Sequence, residues 1–152
     1  MQLLSLGAQY VVTALILLGK KPVGEAVSAA ELAKPLNSPA TYLSQMLAKL
    51  ITPGIVGSKR GINGGVYLEK NPADIKLIDI VREIDGEKFF NECFLGVKGC
   101  GSGEPCPFHH EWGQMRGEIM NWLIDTTLED LCNQVSDNWI DERLSFKPKV
   151  FA

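Results

Sequence analysis

The chain has 152 residues, of which 45% are hydrophobic and 22% charged. This length is enough for a small domain with its own core plus an added element. The composition excludes a disordered chain and a fibrous repeat. Its net charge of −3 is unevenly distributed, because residues 1–70 carry 7 basic and 3 acidic side chains whereas residues 71–152 carry 8 and 15. A basic first half joined to an acidic second half is typical of a DNA-binding module fused to a segment that does not contact phosphate.

The first predicted element is a buried helix over Gly7 to Leu18, which ends at the basic, Pro- and Gly-containing segment Lys20 to Gly24. Its apolar run is too short to span a bilayer and follows no positive charge, so it fits neither a membrane anchor nor a signal peptide. We therefore expect a cytoplasmic protein without membrane association. In a reducing compartment, its four cysteines are expected to be metal ligands or free thiols rather than disulfides.

The next segment has the pattern of a helix-turn-helix. Ser28 to Glu31 form a capping box that predicts a short second helix through Ala33, followed by a turn over Lys34 to Asn37. Ser38 and Pro39 are predicted to be the N-cap and first residue of a third helix that runs to about Leu50. We expect the polar face of this third helix to enter the major groove of DNA. The candidate contacts are Ser38, Thr41, Tyr42, Ser44, Gln45 and Lys49.

Two short strands, Ile55 to Ser58 and Gly65 to Leu68, are predicted to form a β-hairpin, named here the wing. The glycine-rich loop between them contains the basic pair Lys59 and Arg60, both candidate DNA contacts. Arg60 is expected to reach a minor groove, whose negative potential attracts a guanidinium. A fourth helix is predicted from about Leu77 to Ile84.

Residues 91–107 are rich in Gly, Cys and Pro and show no period, which predicts an irregular loop. The spacing Cys93-x6-Cys100-x5-Cys106-x2-His109 places four soft or borderline ligands within 17 residues. Three thiolates and an imidazole suit zinc or an iron–sulfur cluster, and they suit oxygen-preferring metals poorly. Neither cysteine gap is as short as in a usual zinc-binding pair. The plainer alternative is three unrelated thiols, and Cys132 is expected to be a buried thiol.

A long helix is predicted from about His109, with large apolar side chains on one face. One small winged helix cannot cover so long a stripe, so a partner subunit is its expected cover. The candidate dimer-interface residues are Trp112, Met115, Ile119, Trp122 and Leu123. The predicted fold is thus mainly α with a small β-hairpin wing, and no catalytic constellation points to an enzyme. Its expected parts are a winged helix-turn-helix (1–86), a Cys-rich loop (87–108), dimerisation and terminal helices (109–143) and a loose tail (144–152).

The chain resembles the IscR/NsrR-type family of iron–sulfur winged-helix transcription regulators over nearly its whole length. The features that carry the resemblance are Leu4-Ser5-Leu6-Gly7-Ala8-Gln9-Tyr10, Tyr42-Leu43-Ser44-Gln45, Lys59-Arg60-Gly61-x2-Gly64-Gly65-Val66-Tyr67-Leu68 and the three-cysteine loop. The resemblance implies a homodimer on a two-fold DNA operator and a two-iron or four-iron cluster that senses redox, nitric oxide or iron status. It also implies that Cys93, Cys100 and Cys106 are cluster ligands. His109 is implied as the fourth, since the place where other members have a carboxylate holds Ala8 or Gln9.

Two alternatives stay open on the sequence alone. In the first, a winged-helix regulator uses the Cys/His loop for zinc or for plain thiol sensing. In the second, a partner-binding scaffold turns its winged helix toward protein, which the acidic second half permits. Retardation of promoter DNA distinguishes the second alternative from a regulator.

Overall fold

The computed structural model describes residues 3–143, which form eight α-helices, one 3-10 turn and a two-stranded antiparallel sheet. The helices and strands in chain order are α1 (Leu6–Gly19), α2 (Ala29–Leu36), α3 (Ala40–Ala48), β1 (Val56–Lys59), β2 (Gly65–Leu68), the 3-10 turn (Pro72–Asp74), α4 (Leu77–Asp85), α5 (Lys88–Asn91), α6 (His109–Asp125), α7 (Leu128–Gln134) and α8 (Asp137–Arg143). This confirms a mainly helical fold with a small hairpin. The predicted tail, 144–152, lies outside the described residues. Within them, no helix is both long enough and apolar enough to cross a membrane.

Helix α1 lies at the centre of the main core. Its side chains Val11, Ala14 and Leu15 are completely buried, and α2, α3, α4 and α7 all pack against it. This position explains why α1 has few polar residues, because a helix covered on most sides has few places where a polar side chain would remain hydrated. The winged-helix elements are therefore assembled around one apolar helix.

The turn of the helix-turn-helix is shorter than predicted. Helix α2 continues through Pro35 to Leu36, and the chain reverses at Asn37, whose φ of 52° is left-handed. The amide of Ser38 donates back to the carbonyl of Ala33 at 3.2 Å, as in a Schellman motif that closes a helix. The prediction that Ser38 caps α3 is therefore wrong. Pro39 holds that position, and the Ser38 hydroxyl is covered without a hydrogen-bond partner.

The wing is bonded to the chain that leads into α2. Val27 and Val66 exchange two backbone hydrogen bonds, of 2.8 and 2.9 Å, beside the ladder that pairs Val56 with Leu68. Gly65 has a φ of +149°, and a Cβ there would overlap the backbone of Val27. Only glycine permits this close approach, so the wing and the start of α2 are held together.

A second apolar cluster joins α4, α5 and α6. Its buried members include Val81 from α4, Phe90 from α5 and Leu123 from α6. Leu123 is only 2% exposed within its own chain. The prediction that Leu123 lies in a dimer interface is therefore wrong, because α4 and its neighbours already cover the side chain. One face of α6 is thus committed to the subunit's own core.

Candidate metal centre and nucleic-acid interface

The segment between α5 and α6 brings three thiols together. The Sγ atoms of Cys93, Cys100 and Cys106, named here the cysteine triad, all lie within 4.8 Å of one another. The sulfurs of Cys93 and Cys106 are 3.4 Å apart. The loop reverses through turns that place Gly96 and Gly99 at φ values of 74° and 68°. Glycine adopts these left-handed angles without strain, so the loop can fold tightly enough to collect all three sulfurs.

His109, the first residue of α6, lies next to the triad. Its Nδ1 is 3.3 Å from Cys100 Sγ, and its backbone amide donates to the carbonyl of Cys106 at 3.1 Å. Gly101 faces the imidazole, where a Cβ would come within 2.5 Å of the ring carbon Cε1. A glycine at this position therefore leaves room for the ring beside Cys100.

Two of the triad thiols have altered acidities. Burial raises the pKa of Cys93, but hydrogen bonds from the amides of Val97 and Leu95 and from the neighbouring thiols outweigh it and lower the pKa to about 7. The pKa of Cys106 is raised, first by burial and then by its hydrogen bond to Cys93. The two shifts have opposite directions because the thiols of Cys93 and Cys106 share a hydrogen bond, in which either sulfur can be the donor.

The donor set fits a soft metal centre. Three sulfurs within mutual reach, with an imidazole nitrogen beside one of them, match the ligands of zinc and of iron–sulfur clusters. The structure brings the three predicted cysteines together and places His109 beside Cys100, and binding of a metal by these four residues stays a prediction. Cys132 is separate from this group: it is buried, and its thiol donates to the carbonyl of Ile16 at 3.6 Å.

The carbonyl oxygen of Glu92, directly before Cys93, accepts two hydrogen bonds from α6. Trp112 Nε1 donates at 2.9 Å and Arg116 Nη1 at 2.8 Å. We name this arrangement the Glu92 clamp. Sequence reasoning missed it because the acceptor is a backbone atom that no side-chain pattern reveals. The one available signal was the i, i+4 spacing of the two donors, which places them on the same face of α6.

The ring of Trp112 is also packed within its own chain. It lies edge-on to Phe89 with centroids 6.0 Å apart and tilted against Phe94 at 5.6 Å. Trp112 is thus half-buried beside the loop, whereas Met115 and Trp122 are 56% and 54% exposed. Ile119 is half-buried against the second apolar cluster. Of the predicted interface residues, Met115 and Trp122 remain the most available to a partner.

Helix α3, the second helix of the helix-turn-helix, presents a polar face. Its exposed candidates share one side of the helix because they are spaced at helical intervals. They are Thr41, Ser44, Gln45 and Lys49. Tyr42 is half-buried instead, and its ring packs edge-on against Tyr10 with centroids 6.1 Å apart. It lies on the apolar face of α3, so it is less accessible to DNA than the exposed candidates. Contact between the exposed face and DNA stays a prediction.

The two basic residues of the wing differ in their surroundings. Lys59 Nζ donates to the carbonyl of Gly24 at 3.2 Å and lies 5.1 Å from the centroid of the Tyr67 ring. This side chain ties the wing to the body of the domain. Arg60 is exposed, as is Ile62 two residues further along the hairpin loop. Arg60 is therefore the better placed of the two for a ligand outside the chain.

A helix-turn-helix followed by a hairpin, with a cysteine loop that leads into a long helix, defines a winged-helix transcription regulator. The sequence profile of the Rrf2 family, described as an iron-dependent transcriptional regulator, matches residues 4–134. The chain belongs to the Rrf2 family of DNA-binding transcriptional regulators.

Individual relatives agree with this membership. The HTH-type transcriptional regulator IscR of Photorhabdus laumondii is 29% identical over 133 residues, which are 88% of this chain and 80% of the relative. The structure of CymR, the global cysteine regulator of B. subtilis, is 31% identical with a TM-score of 0.73, and the match covers 90% of this chain and all of CymR. The structure of T. potens IscR is 28% identical with a TM-score of 0.70, and the match covers 90% of each chain.

Proposed function

We propose that the chain is a cytoplasmic, homodimeric regulator whose affinity for a two-fold DNA operator depends on an iron–sulfur cluster held by the cysteine triad and His109. The observation that carries this proposal is the convergence of three thiols within 4.8 Å, although Cys93 and Cys106 are 13 residues apart in sequence. Three unrelated thiols in an irregular loop would not be expected to gather in this way. The description of the family as iron-dependent supports iron as the metal.

A cluster is favoured over a zinc ion by the ligand spacing. Gaps of six and five residues lack the short Cys-x2-4-Cys pair that a structural zinc site normally contains. When bound, the cluster supplies iron that can be oxidised, nitrosylated or lost, and so reports redox state, nitric oxide or iron supply. The triad thiolates hold it in place. His109 is the weaker ligand, since an imidazole is replaced by water more readily than a thiolate.

The DNA-binding half of the proposal uses residues other than those of the triad. The exposed face of α3 enters the major groove, and Arg60 reaches the adjacent minor groove. A two-fold dimer places the two recognition helices about one helical turn, ~34 Å, apart. The exposed side chains Met115 and Trp122 of α6 supply apolar surface for the partner subunit.

The proposal is tested with protein purified without oxygen. We expect a coloured protein with iron and acid-labile sulfide, and a retarded promoter fragment whose dissociation constant changes when the cluster is removed. Cys106→Ala should give a colourless, folded dimer, and Cys132→Ala is the matched control that keeps colour and regulation. His109→Ala should assemble a cluster that degrades faster.

Four results contradict parts of the proposal. If Cys106→Ala keeps a full iron–sulfur spectrum, or if loaded and cluster-free proteins bind one operator equally at every salt concentration, the cluster is not the sensor. Footprinting that protects one asymmetric patch contradicts the two-fold dimer. Failure to retard any promoter DNA favours a partner-binding scaffold instead.

Thiol sensing is the second candidate, and one distance favours it. The 3.4 Å between the sulfurs of Cys93 and Cys106 needs a shift of little more than 1 Å to reach a disulfide bond length. CymR of Staphylococcus aureus, 28% identical with a TM-score of 0.72, has been crystallised in an oxidized form. In this reaction one S–S bond replaces the two S–H bonds, and the two electrons and two protons pass to a peroxide, whose O–O bond breaks to give two waters or one water and an alcohol. A metal-free protein whose operator affinity responds to peroxide favours this candidate.

A further inference from the structure

We infer that Trp112 and Arg116 are positioning residues that transmit the state of the cysteine triad to the long helix α6 through the Glu92 clamp. The inference rests on the proposed function, because it concerns how the cluster changes operator affinity. It assigns to two residues of α6 a role distinct from metal ligation and distinct from contact with a partner subunit.

The clamp fixes the backbone immediately before the first triad cysteine. A carbonyl oxygen has two lone pairs, and the two donors from α6 occupy both. The peptide group that contains this oxygen also contains the backbone nitrogen of Cys93, and a peptide group is planar and rigid. A displacement of Cys93 therefore moves the oxygen, and it either breaks the two hydrogen bonds or shifts α6.

The use of Arg116 is unusual for a charged side chain. It is half-buried, and the ion pairs found within residues 3–143, Lys20–Asp137 and Arg82–Glu87, do not include it. Its guanidinium donates instead to a neutral carbonyl at 2.8 Å, a charge-assisted bond that is stronger than an ordinary amide–carbonyl bond. An arginine partly withdrawn from water for one backbone oxygen indicates that the position of this oxygen matters.

The ring of Trp112 contacts both flanks of Cys93. Phe89 lies before the cysteine in sequence and Phe94 directly after it, and both rings pack against the indole. Trp112 therefore responds to movement on either side of the first triad position. Its N–H and its ring act on the same short segment, 89–94.

The opposite end of α6 connects this segment to the DNA-binding domain. Ile119 and Leu123 pack in the cluster that includes Val81 of α4, and α4 packs against α1 at the centre of the main core. An α-helix is stiff over its four to five turns, so a shift imposed at Trp112 is carried to this end. The continuous packed path gives the triad a physical connection to the winged helix.

The test uses the full-length dimer in four forms. They are wild type, Trp112→Phe, Arg116→Met and the double variant. Trp112→Phe keeps an aromatic ring and removes one hydrogen-bond donor. Arg116→Met keeps the apolar stem and removes the other donor. Gln114→Ala, an exposed position on the same helix, is the matched control. For each form we measure iron and sulfide content, oligomeric state, and the operator dissociation constant with and without the cluster.

We expect the double variant to assemble a wild-type amount of cluster and to bind the operator without its cluster as wild type does. Its ratio of loaded to cluster-free dissociation constants should fall from the ~5- to 150-fold typical of coupled sites to within about twofold. Each single variant should give an intermediate ratio. In the cluster-free double variant, hydrogen exchange at residues 93–97 should be faster than in wild type, a readout that does not depend on the cluster.

A wild-type ratio in the double variant overturns the inference. Loss of cluster assembly also overturns it, because the two residues would then only hold the ligand loop in place. If the double variant does not fold, the ratio of loaded to cluster-free dissociation constants in each single variant tests the inference instead. A wild-type protein without a cluster, or with equal loaded and cluster-free affinities, contradicts the proposed function itself, so the two failures are distinguishable.

Discussion

Trp122 and Leu123 are neighbours on α6 with opposite surroundings, and truncating each to alanine should have different effects. Leu123 is 2% exposed in its own subunit, so Leu123→Ala should lower the free energy of unfolding by about 2–5 kcal/mol at every protein concentration. Trp122 is 54% exposed and lines an apolar groove with Leu3 and Leu6. We expect Trp122→Ala to act on the dimer instead.

The size of the Trp122 effect follows from its exposed area. A tryptophan buries about 150–250 Å² when fully covered, so the exposed half amounts to roughly 80–135 Å². At about 25 cal/mol per Å² this area is worth roughly 2–3 kcal/mol per subunit. A two-fold interface contains it twice, so complete covering by the partner sets an upper limit of roughly 4–7 kcal/mol, or about three to five powers of ten in the dimer dissociation constant.

Sedimentation equilibrium over a range of protein concentrations measures this constant, and urea denaturation of the dilute protein measures subunit stability. An unchanged dissociation constant for Trp122→Ala would show that no partner covers this face. Trp122 is a better probe than Ile119, because Ile119 already packs against its own chain and a charge there would disturb both kinds of contact.

Three further results are expected. Arg60→Ala should weaken operator binding and reduce the slope of log affinity against log salt by about one, and an unchanged slope would remove Arg60 from the interface. Gly65→Ala should lower the urea midpoint of unfolding, because the added Cβ would overlap the Val27 backbone. Gly113→Ala is the control and should not lower it, because a Cβ there meets nothing within 4 Å. In the cluster-free protein, the rate at which iodoacetamide alkylates Cys93 should rise through pH about 7, because the lowered pKa leaves this thiol ionised above that value. A midpoint above pH ~8.5, the ordinary pKa of a cysteine, would refute this prediction.

Local chemistry explains why much of the fold could be predicted. Apolar spacing located α1 and α3, and Ser28 starts α2 as expected by accepting a hydrogen bond from the amide of Glu31 at 3.2 Å. The end of α2 was misplaced because Pro35 suggested a break. Proline removes a donor and crowds the preceding turn, but the helix nevertheless continues through Pro35 to Leu36 and ends at a left-handed Asn37.

The site was predictable to the extent that it consists of side chains. The thiols and the imidazole have few other roles at such spacing, so their convergence was expected. Leu123 could not be assigned correctly, because periodicity shows that a helix face is apolar but not which surface covers it. The Glu92 clamp was invisible for a related reason, since any residue at position 92 offers the same carbonyl oxygen.

The paired backbone bonds between Val27 and Val66 have a consequence for how operators are selected. They join the hairpin to the entrance of the helix-turn-helix, so the proposed major-groove contacts of α3 and the proposed minor-groove contact of Arg60 keep a fixed mutual geometry within one subunit. A signal from the cysteine loop can then alter only how one such unit is oriented relative to the other. Regulation should therefore leave the half-site sequence unchanged and alter the tolerance for the number of base pairs between half-sites. Operator libraries with randomised spacers, selected with loaded and cluster-free protein, would display this as a change in preferred spacer length.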